Sequence, residues 1–433
     1  MRMKITVLSG AVVFALMGIA DATARALDLD AVFHEVAATN PSLAARRELI
    51  EAAERRVGPS GAWQSPMIEL GPVNVPTSGR FDEDPMTMKM VEVTQRVPLF
   101  GKNGISRSSA KAAVGAEGAG LEMARYQTFA LAWESYADAY YGERLVRAAM
   151  AHQTEMDRLV RSAQVRYESG NGRLEDFLRA QAERAQALSD LLAFQAEARG
   201  ARVRLAAVMG RDPSAFADSL SAPPAAPVPA EPGSWLAAVG DSHPRLRELQ
   251  SQIDRYQLAA RASRRTAWPD LELKGAYGVR EPIDGMAQDN LWSATVGFVL
   301  PIFAGARELS EGKEMDAMAR SYEAERRAAT LDLRQQVLAT HATALSDQRT
   351  VTLLADTILV FQHRVVDASW STYSTGSSDL WRVLEATHSL YGEDVALVRA
   401  RQDLARTEAR LLSITARGDL LNLSLPVPSS KAP

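Results

Sequence analysis

The sequence predicts a mostly α-helical protein with a small β part, built as a tandem structural repeat. Three observations lead to this fold class. Aromatic residues make up only 6% of the 433 residues while alanine and arginine are abundant, a composition that favours long packed helices. Short motifs recur in the same order about 203–206 residues apart. Each copy also carries two strand-like segments followed by a long stretch without proline.

The amino end has the pattern of an export signal. Arg2 and Lys4 precede the almost wholly apolar run Ile5–Ala20, and Ala24-Arg25-Ala26 fits a small-residue cleavage site, with Ala20-Asp21-Ala22 as an alternative. A buried core helix is the other interpretation of the same run. We expect residues 1–26 to be a signal peptide, and the chain to be exported to the periplasm, outer membrane or exterior.

Composition and missing motifs exclude several functions. The absence of cysteine excludes disulfide frameworks, thiolate metal sites and thiol catalysis. A formal charge of -4 gives no overall basic field for nucleic acid. The six histidines form no H-E-x-x-H pair, and the sequence has neither G-x-S-x-G nor a complete phosphate loop. The sequence therefore predicts no enzyme, no cofactor, no metal site and no nucleic-acid partner.

The internal repeat is carried by four short matches. Asn40-Pro41-Ser42-Leu43 recurs as His243-Pro244-Arg245-Leu246. Ala62-Trp63 recurs as Ala267-Trp268, Pro98-Leu99-Phe100 as Pro301-Ile302-Phe303, and Tyr167-Glu168-Ser169-Gly170 as Tyr373-Ser374-Thr375-Gly376. The matches divide the chain into a first repeat at 27–210, a proline-rich linker at 211–235, a second repeat at 236–420 and a flexible tail at 421–433.

The sequence predicts the same series of secondary-structure elements in each repeat. A helix at 29–57 opens the first copy, and two strands, a very long helix and a return helix follow. The first copy has strands at 65–75 and 87–97 and long helices at 108–167 and 174–209. The second copy has strands at 270–280 and 291–300 and a return helix at 380–417. The narrow apolar stripes of the return helices suit coiled-coil packing.

The strand segments alternate between apolar and polar residues. Leu271, Leu273 and Tyr277 share one face of their segment, while Asp270 and Glu272 share the other. Segments of about 10 residues with this period are typical of outer-membrane barrel strands. Two ordinary hairpins on a soluble domain would give the same alternation. Four strands cannot close a barrel alone, whereas three chains would supply 12.

These residues together resemble the outer membrane efflux (TolC-like) family. The resemblance rests on the tandem repeat, the two Tyr-x-x-Gly hairpins and two strand-exit motifs. The motif residues are Pro98, Phe100 and Gly101 in the first copy and Pro301, Phe303 and Gly305 in the second. Pro-Leu-Phe-Gly-Lys at 98–102 is most similar to the heavy-metal efflux branch, that of the cobalt-zinc-cadmium and copper-silver systems.

The resemblance implies a homotrimer with a 12-stranded transmembrane β-barrel over an α-barrel of long coiled-coil-like helices. It implies a passive exit duct in the outer membrane, with most of the mass in the periplasm. A periplasmic adaptor (membrane fusion) protein and an inner-membrane pump would be its partners, and outer-membrane lipid would surround the barrel. The cargo would be heavy-metal cations or small toxic compounds. The alternative is an exported periplasmic coiled-coil scaffold without channel activity.

By the same resemblance, the helical hairpins at 165–178 and 372–384 form the periplasmic tip. Tyr167, Gly170, Tyr373 and Gly376 are the candidate adaptor-contacting residues. Glu175, Asp176 and Asp379 are candidates for a negative pore mouth that favours cations. The same three acids also suit a second role, because carboxylates near a helix N-terminus stabilise the helix dipole. The two roles are compatible.

Overall fold

The computed structural model describes residues 26–216, 218–224 and 227–426, so the predicted signal peptide lies outside the described residues except for Ala26. The first copy consists of α1 (Leu29–Thr39), α2 (Pro41–Ser60), β1 (Met67–Val73), β2 (Met88–Val97), α3 (Lys102–Glu168) and α4 (Leu174–Val208). The short helix α5 (Gly233–Ala238) follows. The second copy consists of α6 (Pro244–Thr266), β3 (Asp270–Arg280), β4 (Leu291–Val299), α7 (Glu308–Leu353), α8 (Leu359–Ser374) and α9 (Leu380–Thr415).

The predicted single helix at 29–57 is wrong, because the chain breaks at Asn40. Asn40 caps α2: its side-chain oxygen accepts hydrogen bonds from the backbone N–H of Ser42 at 2.9 Å and of Leu43 at 3.2 Å. Its amide donates to the carbonyl of Val208 at 2.8 Å, which ties the cap to the end of α4. Pro41 occupies the first turn, where its missing N–H costs nothing.

The second copy builds the same corner with a histidine. The Nδ1 atom of His243 accepts from the backbone N–H of Arg245 at 3.2 Å, and Nε2 donates to the carbonyl of Ile414 at 2.9 Å. Burial lowers the pKa of His243, which keeps the ring neutral and able to cap. The first sequence match therefore marks a cap that fastens each short helix to its own return helix.

The long helix that follows the strands of the first copy exceeds its predicted length, whereas the return helices end within two residues of their predicted bounds. α3 has 67 residues, about 100 Å at 1.5 Å per residue, and begins at Lys102 because Gly101 takes a left-handed conformation just before it. In the second copy α7, one π-helical turn (Leu354–Ile358) and α8 continue without interruption from Glu308 to Ser374. Within the described ranges, none of the helices combines the length and apolar character that crossing a lipid bilayer requires.

The four strands form one antiparallel sheet in the order β1-β2-β3-β4, and the predicted strand positions are confirmed within two residues. β2 and β3 pair over ten positions, from Met88 opposite Arg280 to Val97 opposite Leu271, and this ladder joins the two copies. Below the sheet α2, α3, α6 and α7 pack side by side in the same order. Strands and helices therefore make one continuous wall.

The largest buried cluster lies midway along the helices, around Phe33, Trp133 and Trp235. The Tyr136 hydroxyl lies 2.9 Å from the carbonyl of Leu27 and 2.7 Å from that of Ser221, which holds both connectors to α3. Of the predicted flexible tail at 421–433, residues 421–426 are described and the rest lies outside the described residues. Leu421 and Leu423 are buried in this cluster, because apolar side chains there complete the core.

Candidate pore lining and helical tip

The sheet has two chemically different faces. Register places most of the apolar side chains on one face, which we call the apolar face. It consists of Ile68, Leu70, Val91, Val93, Leu271, Leu273, Tyr277, Trp292, Val296 and Phe298. The other face, here the polar face, carries the polar residues Glu69, Glu92, Thr94, Arg96, Asp270, Glu272, Lys274, Arg280, Ser293 and Thr295. Its apolar side chains lie mainly toward the strand ends and are Met67, Val73, Met88, Met90, Leu291 and Val299. Gln95 interrupts the apolar face, but its amide donates to the carbonyl of Gln64 at 3.0 Å.

The apolar face is uncovered in the single chain. Trp292 is 79% exposed, Leu70 is 73% exposed and Val296 is 63% exposed. Contiguous exposed apolar surface on this scale marks contact with lipid or with protein. Tyr277 and Trp292 pair near one end of the face, and Trp268 stands beyond the other end. Aromatic residues at both ends of an apolar band are typical of strands that cross an outer membrane.

The polar face carries a net negative charge. The Lys274 ammonium lies 3.5 Å from a Glu92 carboxylate oxygen and 3.3 Å from one of Glu272. Glu69 stands directly opposite Glu92 in the register. Carboxylates outnumber basic groups on this face, so a passage lined by it would attract cations.

The strand-exit motifs lie where the sheet meets the helices. Lys102 is buried at this junction: its ammonium donates to Asp270 at 2.6 Å and to the carbonyl of Trp268 at 2.7 Å. Phe100 packs on Trp268 with ring centroids 5.2 Å apart. In the second copy Pro301, Phe303 and Gly305 lie in the turn between β4 and α7, and Phe303 is 75% exposed.

At the far end of the molecule the two helical hairpins turn in the same way. Gly170 has φ 75° and Gly376 has φ 74°, a region that favours glycine. Each glycine N–H donates to the carbonyl of the tyrosine three residues earlier, from Gly170 to Tyr167 and from Gly376 to Tyr373, both at 3.0 Å. In this chain the glycines serve the turn.

One arginine that the sequence reasoning missed links the two hairpins. Arg166 donates to the carbonyl of Tyr373 at 2.9 Å, and its guanidinium lies 4.6 Å from the centre of the Tyr373 ring. Tyr373 is buried, whereas its counterpart Tyr167 is 44% exposed. The residue that matches Arg166 in the second copy is Thr372, so the repeat alone gave no signal for this contact.

The three candidate pore-mouth acids occupy different positions. Asp176 and Asp379 both line a cleft of about 330 Å³ between the hairpins, beside Arg166 and Tyr373. Glu175 is exposed and is not part of this cleft. Asp379 is also the N-cap of α9, where its carboxylate accepts from the N–H of Arg382 at 3.4 Å. The geometry accommodates both the capping role and a role at the mouth.

The structure also brings together two histidines that are far apart in sequence. His152 stacks on Tyr391 with ring centroids 4.1 Å apart, and His388 lies 6.3 Å away. Burial, and to a smaller extent the neighbouring His388, lower the pKa of His152 to about 4. Among the described residues, no group of three or more His, Asp or Glu side chains is arranged to hold a metal ion.

Comparison with known proteins agrees with this architecture. The family model described as outer membrane efflux protein matches residues 32–211 and 235–417. The chain belongs to the outer membrane efflux protein family. The outer membrane efflux protein BepC of Brucella suis biovar 1 (strain 1330) is 25% identical over 330 residues, which cover 75% of this chain and 71% of BepC.

Solved channel structures share the fold. The outer-membrane channel OprN superimposes with a TM-score of 0.74 at 17% identity, covering 89% of each chain. The outer membrane protein VceC of Vibrio cholerae superimposes with a TM-score of 0.74 at 16% identity, covering 89% of this chain and 95% of VceC. The predicted family and fold class are thereby confirmed. Because the matched family is that of outer membrane efflux proteins, family membership also supports the prediction that the protein is not an enzyme.

Proposed function

We propose that three copies of this chain assemble into a passive exit duct in the outer membrane. The single observation that carries the proposal is the four-stranded sheet with two unlike faces and with β1 and β4 as its outermost strands. An open edge leaves backbone N–H and C=O groups unpaired, which lipid does not tolerate. Three copies would pair every edge in a barrel of 12 strands, with the apolar face toward lipid and the polar face toward the lumen.

The helices then determine where the rest of the molecule lies. At about 100 Å, α3 is more than twice as long as the 40–45 Å of a whole bilayer. The helical wall would extend into the periplasm and end at the two hairpin turns. Tyr167 and Gly170 of one hairpin and Tyr373 and Gly376 of the other would contact a periplasmic adaptor, behind which an inner-membrane pump supplies the energy.

The proposed cargo is heavy-metal cations or small toxic compounds. The acidic polar face supports passage of cations, and Asp176 and Asp379 would repeat that charge three times around the periplasmic mouth, with Glu175 nearby. A duct of this kind needs no tight cargo site and no cofactor. Selection among cargoes would rest with the pump.

The test is a comparison of the full chain with a deletion of residues 65–97, which removes both strands of the first copy. The full chain should appear in the outer-membrane fraction and conduct ions in a planar lipid bilayer, with cations preferred. The deletion variant should lose both properties. Full-length protein that is soluble in the periplasm and does not conduct would contradict the proposal and favour the coiled-coil scaffold.

A further inference from the structure

The two central helices carry an unusual charge where they meet the sheet. Residues 102–116 at the start of α3 and 255–266 at the end of α6 hold seven basic side chains and no acidic one, although the whole chain has a net charge of -4. Lys102 is used internally, in the buried ion pair with Asp270. Arg264 pairs with Asp316 on α7 at 2.6 Å. The remaining basic residues need another explanation.

Seven basic residues near the sheet are exposed and have no ion-pair partner in the part of the chain that the structure describes. Of these, Arg56 lines the groove described below, Lys111 lies further from the sheet and Arg307 lies just outside its helix. Four remain. They are Arg107 on α3, Arg261 and Arg265 on α6 and Lys313 on α7, and we call them the basic collar. Arg107 and Lys313 each lie five residues into their helix, about 8 Å along the axis. Arg261 and Arg265 lie within the last six residues of α6.

Helical geometry places the basic collar on the outer side of the wall. Lys102 reaches Asp270 on the polar face, and Ser106, Ser109 and Ala113 follow on the same side of α3, lining a groove of about 520 Å³ shared by all four helices. Arg107 lies about 110° around the helix from the mean direction of the groove residues Ser106, Ser109, Ala110 and Ala113. Arg261 on α6 and Lys313 on α7 each lie two residues along the chain from a residue that lines the groove. Two residues correspond to a rotation of about 200° around the helix axis. The collar thus faces the same way as the apolar face.

The position of the basic collar matches the headgroup layer of a bilayer. The apolar face ends at a set of exposed aromatic side chains, Trp63, Phe100, Trp268, Phe298 and Phe303. A headgroup layer is roughly 5–8 Å thick on each side of the hydrocarbon core. The collar residues lie within about 8 Å of the helix ends that adjoin those aromatics.

The opposite end of the sheet has the opposite charge. The loop between β1 and β2 carries Asp82, Glu83 and Asp84 against a single arginine, Arg80, and the loop at 281–290 has three acids and no basic residue. The adjoining strand ends add Lys89 and Arg280, but Lys89 pairs with Glu281 and Arg280 donates to backbone carbonyls, so the exposed basic residues without such partners lie at the rim on the helical side. Attraction of this collar to negatively charged lipid would be specific to the rim on the helical side.

We propose that the basic collar binds the phosphate headgroups of anionic phospholipids in the periplasm-facing leaflet of the outer membrane. The inference rests on the proposed function, since it needs the apolar face to lie in lipid. Each guanidinium offers paired N–H donors that match phosphate oxygens. Three copies of the chain would present twelve such charges in a ring around the barrel.

The experiment measures lipid preference in nanodiscs. The detergent-extracted protein is reconstituted with mixtures of phosphatidylglycerol and phosphatidylcholine, and native mass spectrometry counts the lipids of each kind that stay bound. We expect phosphatidylglycerol to be enriched over its share of the mixture. The collar variant R107Q/R261Q/R265Q/K313Q should reduce that enrichment at least about tenfold, given the free energy of each basic group near an anionic surface.

Two controls separate charge at this position from charge in general. The matched variant R161Q/R199Q/R327Q/R334Q removes four exposed, unpaired arginines remote from the sheet and should keep the enrichment. The variant R107K/R261K/R265K keeps the charge of the collar and should also keep the enrichment of phosphatidylglycerol. Equal enrichment in the collar variant and the wild type, or equal loss in the matched variant, would overturn the inference.

Failure of the proposed function would look different. In that case the wild-type chain would not insert into nanodiscs, and no lipid would be counted. If the wild type inserts and conducts ions but shows no preference for phosphatidylglycerol, the lipid inference alone is wrong.

Discussion

The two copies of the repeat are joined very differently at the two ends of the molecule. At the sheet end, β2 and β3 share a ladder of ten residue pairs, and the Lys102–Asp270 ion pair strengthens the junction below it. At the helical tip the copies meet through side-chain contacts: the Arg166–Tyr373 contact beside a cleft of about 330 Å³, and a buried apolar cluster in which Leu159 of the first copy packs with Tyr373 and Leu380 of the second. A backbone ladder separates only when the strands unfold, whereas side-chain contacts between packed helices can be exchanged while the helices stay folded. The sheet end is therefore built as a permanent junction and the tip as a separable one.

The largest expected effect comes from a charge on the apolar face of the permanent end. Val296→Arg places a guanidinium on the face that we propose to contact lipid. Near the bilayer midplane this destabilises the inserted barrel by about 2–4 kcal/mol per chain. We expect the variant to disappear from the outer-membrane fraction. Thr295→Arg is the matched control, because the adjacent side chain lies on the polar face and should leave insertion intact. Equal behaviour of the two variants would mean that the faces do not differ in environment.

The next effect concerns the junction below the sheet. Lys102→Ala leaves the carboxylate of Asp270 without its closest partner, and breaking a buried pair in this way costs about 3–5 kcal/mol. The heat stability of the extracted protein should fall accordingly. Lys111→Ala, an exposed change on the same helix, should shift stability by less than about 0.5 kcal/mol. Similar losses in both variants would contradict the junction role of Lys102.

Acid should loosen the helical half before the sheet. The pKa of His152 is about 4 in the folded chain, below its ordinary value of 6.5, so the unfolded chain binds more protons between these pH values. Stability is full above pH 6.5 and falls by about 3 kcal/mol as the pH drops to 4. Hydrogen exchange around His152, Asp190 and His388 should accelerate over this range while the β2–β3 ladder stays protected. His152→Phe keeps the stacking on Tyr391 and should remove the pH dependence of stability. If stability falls with pH as steeply in this variant as in the wild type, other groups cause the pH dependence.

A smaller effect is expected when the separable end is released. Arg166→Ala removes a hydrogen bond from a charged donor and a contact with an aromatic ring, together about 2 kcal/mol. Single-channel conductance should rise while heat stability of the sheet end stays the same. Arg161→Ala, an exposed arginine one and a half turns away, is the control. Unchanged conductance in Arg166→Ala would mean that this contact does not hold the tip together.

The smallest effect distinguishes the two roles of Asp379. Asparagine caps helices as well as aspartate does, so Asp379→Asn should keep stability and lower only the preference for cations over anions. Asp379→Ala should in addition cost about 1 kcal/mol of helix stability. If Asp379→Asn leaves ion preference unchanged, capping is the sole role of this carboxylate.

Repetition and alternation made the wall of strands and helices predictable from the sequence, whereas contacts between the copies were not. The period of two in Leu271, Leu273 and Tyr277 identified the apolar face, because alternation is a local property. The break at Asn40 contradicts the predicted single helix at 29–57, although asparagine followed by proline is itself a signal for a helix N-terminus. The Arg166–Tyr373 contact and the His152–His388 pair join residues more than 200 positions apart, and one sequence shows no such pairing.

The most direct test of the account is the mass of the unheated complex extracted in mild detergent from isolated outer membranes. The open edges of β1 and β4 require neighbours, and closure at 12 strands requires three chains. We expect a species of three chains that separates into single chains on heating. A monomer or dimer recovered from the soluble periplasmic fraction would contradict the barrel and, with it, the proposed duct.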